Sequence, residues 1–576
     1  MNMYAYQDSL PKLPLPALHA TCQKLMHWSE PFLSQAEIKM TRDAIRTFQD
    51  GGVGTVLQQH LSDLSRDPGI SNWLETLWAE SYLCNPAPLP TGSNVTFILE
   101  KNPQMKNLSL PEFLTSLISA LFKFNELILA ERLDADFQGK KPLCMAQYKT
   151  LLGTARVPGE REDTHITAAN TAHVIILHRG HYYQINVLDR NRKIISPAAL
   201  LQQVREIMQT PKTDNRLAAG ILTNLPRRKW AQLRKHLAGV SPQNEKSLHQ
   251  VESALAFFVI DEERHPHDGQ MFKHFFCGNA ANRWYDKSLQ FILNEAGDFG
   301  INYEHSGVDG TTLGRLVAYL YEQMGPLDAS SFPGTAKTPV HEITFALDKR
   351  LEAAIKEAET LSREAYHQHS FEVLSFTEFG KGRVKTLGVS PDGFVQIGMQ
   401  LAQHGVFQNV YNVYESVMTK RYLCGRTETM RPVTKESLAF VKNPTLENLR
   451  AASLKHVERI NECQAGQGID RHLYGLKKMH EKLFPEAPLP ELFTSPGYLA
   501  ITTNYFSTST SHSLAMRYAG YGPSVEDGFA ARYLIYEDRF HFVLSCKKHR
   551  ADALQQFKAS LENSFKKMAA LTAVIQ

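Results

Sequence analysis

The chain has 576 residues, with 63 Lys+Arg against 59 Asp+Glu, 43% hydrophobic and 21% charged residues. That length holds several domains and buries its own core without disulfides or metals, and a net charge of +4 spread along it marks neither a nucleic-acid binder nor a membrane-surface protein. No apolar run reaches the ~18 residues of a membrane span.

The start (Met1–Asp8) has neither a signal-peptide core nor transit-peptide character, and Ala573–Gln576 is not a peroxisomal tripeptide. The seven cysteines are scattered and never form CxxC, which suits a reducing compartment and speaks against a zinc module. The expectation is a soluble intracellular, cytoplasmic protein.

The opening Leu10–Pro16 carries three prolines in six residues and is expected to be extended. A helix follows to about Trp28, and Ser34-Gln35-Ala36-Glu37 opens another with a capping box, ended at Gly51-Gly52-Val53-Gly54. Asn85–Pro90, again rich in proline, is expected to cross in extended form between two bodies. His173–Leu177 and Tyr183–Leu188 form a hairpin about Arg179-Gly180, and Ala254–Ile260 is a buried strand. Gly325–Pro339 is a domain boundary by composition. A long amphipathic helix spans Asp348–Glu364, then strands at Ala531–Tyr536 and Phe540–Cys546 precede a basic helix. Mixed strands and helices in both halves indicate α/β layers with mixed sheets.

Four segments stand out chemically. They are Asn282–Ser288 with Tyr303–Gly310, Phe379–Lys385 running into Ser390-Pro391-Asp392, Tyr414-Glu415-Ser416 with Gly425–Arg431, and Ser507-Thr508-Ser509 with Gly522-Pro523 and Asp527-Gly528. Together with Leu10–Pro16, Gln147-Tyr148-Lys149 and Arg156-Val157-Pro158, these motifs resemble, in order and over nearly the whole chain, the choline/carnitine O-acyltransferases. The resemblance implies an α/β fold of two similar domains like chloramphenicol acetyltransferase, with mixed sheets flanked by helices and an active-site tunnel between them. The expected division is residues 1–84, a helical segment packing with the C-terminal domain; 85–340, carrying the catalytic histidine; and 341–576, carrying the CoA and carnitine sites.

His305 is one of 23 histidines, and on sequence alone an ordinary structural role is the better reading. What favours catalysis is that an alcohol needs a base near neutral pH. The resemblance implies that His305 takes the proton from the carnitine hydroxyl, or from the CoA thiol in reverse, with direct attack and no acyl-enzyme. Asp309 matches an acidic site position, although a turn aspartate before Gly310 is nearly as good a reading. Ser509 is the implied oxyanion donor, with Ser507 beside it at the carnitine site. Lys381 and Lys385 could be a solvated basic loop. They precede a helix start with Ser390 as N-cap and Pro391 at N1, which makes an anion site. By resemblance they meet the CoA phosphates, with Asp392, Glu415 and Ser416 on the same wall. Gly393 and Gly398 inside that helix are expected to cost about 1 kcal/mol each.

Arg471, Thr427, Thr429 and Tyr414 match the carnitine-type pattern rather than the choline type, since a guanidinium can grip a carboxylate. A surface salt bridge is the plainer alternative for Arg471. Tyr521 is implied at the trimethylammonium end, where its extra hydroxyl needs a partner if buried. Ala519 and Gly520 fall at the acyl gate, where small side chains suggest medium or longer chains. The Cys84–Asn94 stretch departs from the family pattern.

The expectation is a soluble, monomeric acyltransferase exchanging acyl groups between CoA, as co-substrate, and carnitine. It involves no cofactor, metal or nucleic acid. Transfer to choline or another alcohol, and a non-catalytic acyl-CoA binder on the same scaffold, are the alternatives.

Overall fold

A computed structural model describes residues 2–210, 217–327, 339–511 and 513–571. After the extended Leu10–Pro16 stretch, helices Leu18–Ser29, Gln35–Asp50 and Val53–Arg66 follow. Ser34 caps the second of these in a full capping box with Glu37. Their apolar faces bury Leu25, Trp28, Phe48 and Leu61 together with Val417, Met430, Leu473 and Ile501 from much later in the chain. Asn85–Pro90 is not wholly extended: Leu89–Gly92 closes a helical turn, with Pro90 inside the first turn, where its missing N–H costs nothing.

Two sheets organise the rest. The eight-stranded sheet runs His341–Ile343, His181–Asn186, His173–His178, Phe257–Asp261, Leu289–Asn294, Phe299–Tyr303, Val95–Leu99, Met516–Gly520. Phe257–Asp261 is parallel to both neighbours and wholly buried, the environment its unbroken apolar run requires. The strand pleat sorts side chains between two cores. Val174, Ile176 and Phe258 enter one, while Ile175, Leu177 and Phe257 enter the other. The expected hairpin turns at Arg179 and Gly180, with φ of 54° and 77°, the left-handed pair that two-residue hairpin loops favour.

The six-stranded sheet runs His369–Phe376, Phe540–Lys547, Phe529–Ile535, Phe506–Thr510, Val413–Met418, Thr427–Met430. Its strands Val413–Met418, Phe506–Thr510 and Phe529–Ile535 are mutually parallel, and helices Pro391–Phe407 and Ala551–Ala569 cover one face. Gly398 sits where those helices meet: a Cβ there would lie 2.5 Å from the Phe565 ring. Its cost in helix propensity is therefore offset by a close helix crossing.

The composition-based boundary at Gly325–Pro339 falls largely outside the described residues. Two strands beyond residue 340, His341–Ile343 and Met516–Gly520, complete the sheet otherwise built by residues 95–303. The second pairs antiparallel with Val95–Leu99, so the two halves share backbone hydrogen bonds.

Candidate active site

A cavity of about 520 Å³ lies where the two halves meet, and Tyr82, His305, Tyr414, Ser416, Ser509 and Tyr521 are among its lining side chains. His305 lies two residues beyond the end of strand Phe299–Tyr303 and stands half-buried between the rings of Tyr82 and Tyr303. Its Nδ1 lies 2.7 Å from the Val308 carbonyl oxygen. A carbonyl only accepts, so the Nδ1 proton is fixed there and Nε2 keeps its lone pair. Burial holds the imidazole below its ordinary pKa. Asp309 pulls the other way, and Arg426 adds to the lowering. The side chain is thus a neutral base near neutral pH.

Asp309 does not bond His305 directly. It is the N-cap of helix Gly310–Gln323 and is gripped by Arg426 through two bonds, Nε to Oδ2 at 2.8 Å and Nη2 to Oδ1 at 2.9 Å. Arg426 also donates to the carbonyls of His305 (3.0 Å) and Ser306. Gln147 completes the clamp, donating to Asp309 Oδ2 at 2.7 Å while its own Oε1 accepts from the Asp309 N–H and the Thr312 hydroxyl. Burial raises the Asp309 carboxyl, but Arg426, His305 and Gln147 together hold it below the ordinary range. Behind the loop, Glu304 accepts from Arg156 at 3.0 Å and from Ser306 Oγ at 2.5 Å. Arg156 in turn pairs with Asp163, which also holds Arg227. The loop carrying His305 is therefore held by charge-assisted bonds on both sides. Arg426 and Gln147 lie in the motif segments, yet nothing in their spacing gives them this role.

Strand alternation builds the facing wall. Tyr414, Ser416 and Met418 line the cavity from Val413–Met418, and Ser507 and Ser509 from Phe506–Thr510. Ser416 Oγ and Ser509 Oγ are 3.2 Å apart, and Ser507 Oγ donates to the Tyr521 hydroxyl at 3.4 Å, supplying the partner that ring needs. Thr508 points away, its hydroxyl donating to the Tyr414 carbonyl.

The same alternation sends Glu415 off the cavity. It is buried beside Asp392 and His456, whose Nε2 is 3.3 Å from Asp392 and 3.8 Å from Glu415. Burial and the Asp392 charge push the Glu415 carboxyl well up. Burial also acts on Asp392, but His456 and the Tyr533 hydroxyl (2.6 Å) keep it low. The pair therefore shares one negative charge.

Arg471 stands behind the wall rather than in it. Its Nη2 donates to the Tyr414 hydroxyl at 3.3 Å and the Thr427 hydroxyl at 3.4 Å, while its guanidinium stacks 3.8 Å from the Trp78 ring centroid. Both hydroxyls line the cavity. Because each accepts from Arg471, each is left to donate its own proton inward. Thr429 is fully buried and does not border the cavity.

Lys381 and Lys385 lie apart from the cavity, inside the short helix Lys381–Thr386 rather than in a loop. Lys381 pairs with Glu537 at 3.4 Å and Lys385 is exposed, while Ser390 caps the next helix as its sequence indicates. Ala519 and Gly520 do not line the cavity either. Ala519 is buried opposite Phe97, and a Cβ on Gly520 would lie 2.7 Å from Val543 and 2.8 Å from Phe272. The room expected from their small side chains is filled by neighbours. By contrast, Asn85 and Thr91–Asn94, from the stretch that departs from the family pattern, do border the cavity.

The family model for choline/carnitine O-acyltransferases matches residues 13–563. The chain belongs to this family. It is 27% identical to carnitine O-acetyltransferase of Columba livia, covering 95% of this chain and 90% of that one. It is 28% identical to the mitochondrial carnitine O-acetyltransferase of Saccharomyces cerevisiae (96% and 86%) and 30% identical to the peroxisomal carnitine O-octanoyltransferase of Rattus norvegicus (95% and 93%). Among solved structures, the first condensation domain of the CDA synthetase aligns with 86% of this acyltransferase-family chain and 96% of its own, at a TM-score of 0.37 and 11% identity. Among the described residues of this family member, no helix is long and apolar enough to cross a membrane.

Proposed function

We propose that the protein is a carnitine O-acyltransferase that moves an acyl group reversibly between CoA and the carnitine hydroxyl. The observation that carries this reading is the fixed tautomer of His305, whose Nε2 lone pair faces a cavity shared with the Ser509 hydroxyl. Nε2 removes the hydroxyl proton as the oxygen attacks the thioester carbonyl. Ser509 donates to the oxyanion, and the imidazolium returns its proton to the departing CoA sulfur. Reversal exchanges only which nucleophile gives the proton. Asp309 and Arg426 hold the loop that carries His305 and border the same cavity.

Carnitine rather than choline is favoured by the Tyr414–Arg471–Thr427 group. Two inward hydroxyl donors backed by a guanidinium suit a carboxylate, which choline lacks. Lys381 and Lys385 are assigned to the CoA phosphates on the outer surface and Ser416 to the path inward, with Asp392 and Glu415 supporting that wall from behind. Chain length follows the packing at the gate. An acyl chain directed past Gly520 meets Val543 and Phe272, so a medium or longer chain on that path displaces both.

The test is CoA release from acetyl-, octanoyl- and palmitoyl-CoA with carnitine or choline, for the wild type and His305→Ala. Carnitine-dependent release abolished in the variant, with acyl-CoA binding retained, is the expected result. No release with either acceptor, while acyl-CoA still binds, would overturn transfer in favour of a binding role.

A further inference from the structure

The loop between strand Phe257–Asp261 and helix Asp268–Cys277 borders a second cavity of about 460 Å³, which shares no lining residue with the first. Glu263 and His274 line it, and with His265 beside them each brings one potential ligand atom, all within 4.8 Å of one another. His274 Nδ1 is 3.1 Å from the Glu263 carboxylate, and His265 Nε2 is 3.8 Å from it. Bonds of ~2.0–2.1 Å to a tetrahedral ion place its donors about 3.4 Å apart, midway between those two separations.

The surroundings of the histidines point the same way. The other nitrogen of His274, Nε2, is 2.9 Å from Asp261 Oδ2. Asp261 is buried and ionised, held by two bonds from Arg283 and further bonds from Asn279 and Asn282. A carboxylate so fixed accepts the Nε2 proton and leaves Nδ1 as the ligand, the outer-sphere pattern that orients metal-binding histidines. His265 Nε2 is buried and has no hydrogen-bond partner, which is costly for a polar atom unless something occupies the space before it. Two imidazoles and one carboxylate suit a borderline divalent ion, whereas calcium and magnesium prefer an all-oxygen set.

We propose that Glu263, His265 and His274 form a binding site for a divalent first-row transition-metal ion of the zinc type, oriented by Asp261 and open to the second cavity. Binding releases the proton that His274 Nδ1 otherwise shares with Glu263 and ties the 262–267 loop to the following helix. That helix begins at Asp268, which holds Arg517 at 2.9 Å and the Tyr518 hydroxyl at 2.7 Å. The ion would therefore brace the strand Met516–Gly520 at the junction of the two halves. This inference stands independently of the assigned reaction.

The test uses the full-length chain without an affinity tag, stripped of metal by a chelator. Zn²⁺ is then titrated against a competing chromophoric chelator. One ion per chain is expected. Glu263→Gln and His265→Ala, both on the loop, should weaken it at least ~10–100-fold, the range that loss of an outer-sphere partner alone produces. Co²⁺ in place of Zn²⁺ should give the intense visible bands of a four-coordinate site in the wild type only. Unchanged far-ultraviolet circular dichroism establishes that the variants fold. Zn²⁺ binding equally tight in folded His265→Ala, or no site in the wild type tighter than exposed histidines provide, overturns the proposal and leaves His274 as a protonated bridge between Asp261 and Glu263.

Discussion

Replacing Arg426 by alanine separates the two tasks of the clamp behind His305. The guanidinium and the Asp309 carboxylate are 15% and 10% exposed, so removing one charge leaves the other buried, with Gln147 as the remaining side-chain donor. An uncompensated buried charge costs about 3–5 kcal/mol, so Arg426→Ala should lose that much by urea denaturation. Arg426→Ala/Asp309→Asn removes both charges and should regain most of it. Catalysis carries a second, signed readout. A base works when neutral, above its pKa; Arg426 lowers that of His305 and Asp309 raises it. Arg426→Ala should therefore move the acid limb of the carnitine-dependent rate to higher pH, and Asp309→Asn should move it to lower pH. The assay is thiol release from acetyl-CoA across the pH range, with each limb fitted. Limbs that move in the same direction in both single variants, or an Arg426→Ala protein as stable as the wild type, would refute the reasoning.

Ser509→Ala should lower kcat by about 10²–10³ with little change in the KM for either substrate, as expected for a donor that acts on the oxyanion; steady-state kinetics check it. Arg471→Ala should raise the KM for carnitine about 10–100-fold, from the ~1.5–3 kcal/mol of charge-assisted bonding, and leave the KM for acetyl-CoA unchanged. Phe272→Ala opens the space beside Gly520, so the ratio of octanoyl- to acetyl-CoA turnover should rise, at about 3–5 kcal/mol of stability seen in denaturant melts. Gly398→Ala should destabilise by about 1–3 kcal/mol despite alanine's better helix propensity, because the new methyl meets the Phe565 ring; denaturation of the folded variant gives the sign.

Where the sequence was legible, local chemistry decided the outcome. The Ser34 capping box, the Arg179-Gly180 turn and the buried run ahead of Asp261 each follow from residues a few positions apart, and each is found. The wall of Tyr414, Ser416, Ser507 and Ser509 follows from strand alternation once the motifs are placed. That alternation also separates Glu415 from Ser416, which adjacency in sequence conceals. What stayed hidden depends on contacts between distant segments. Arg426 meets Asp309 across 117 positions, and Gln147 meets it across 162. The crowding beside the expected gate is hidden for the same reason: Gly520 is small, but Phe272, 248 positions earlier, and Val543 on another strand stand against it. Gly398 likewise reads as a weak helix residue until the C-terminal helix is laid against it.

Pairing Val95–Leu99 with Met516–Gly520 also sets the order in which the protein can be completed during synthesis. As the ribosome works from the N-terminus, the strands at 95–99, 173–186, 257–261 and 289–303 emerge early, but their last neighbour emerges only after residue 520. Until then Val95–Leu99, wholly buried in the finished sheet, has one ladder edge unpaired. A nascent chain halted before residue 516 keeps that edge open to other chains, so truncated products should aggregate rather than persist as a folded N-terminal half.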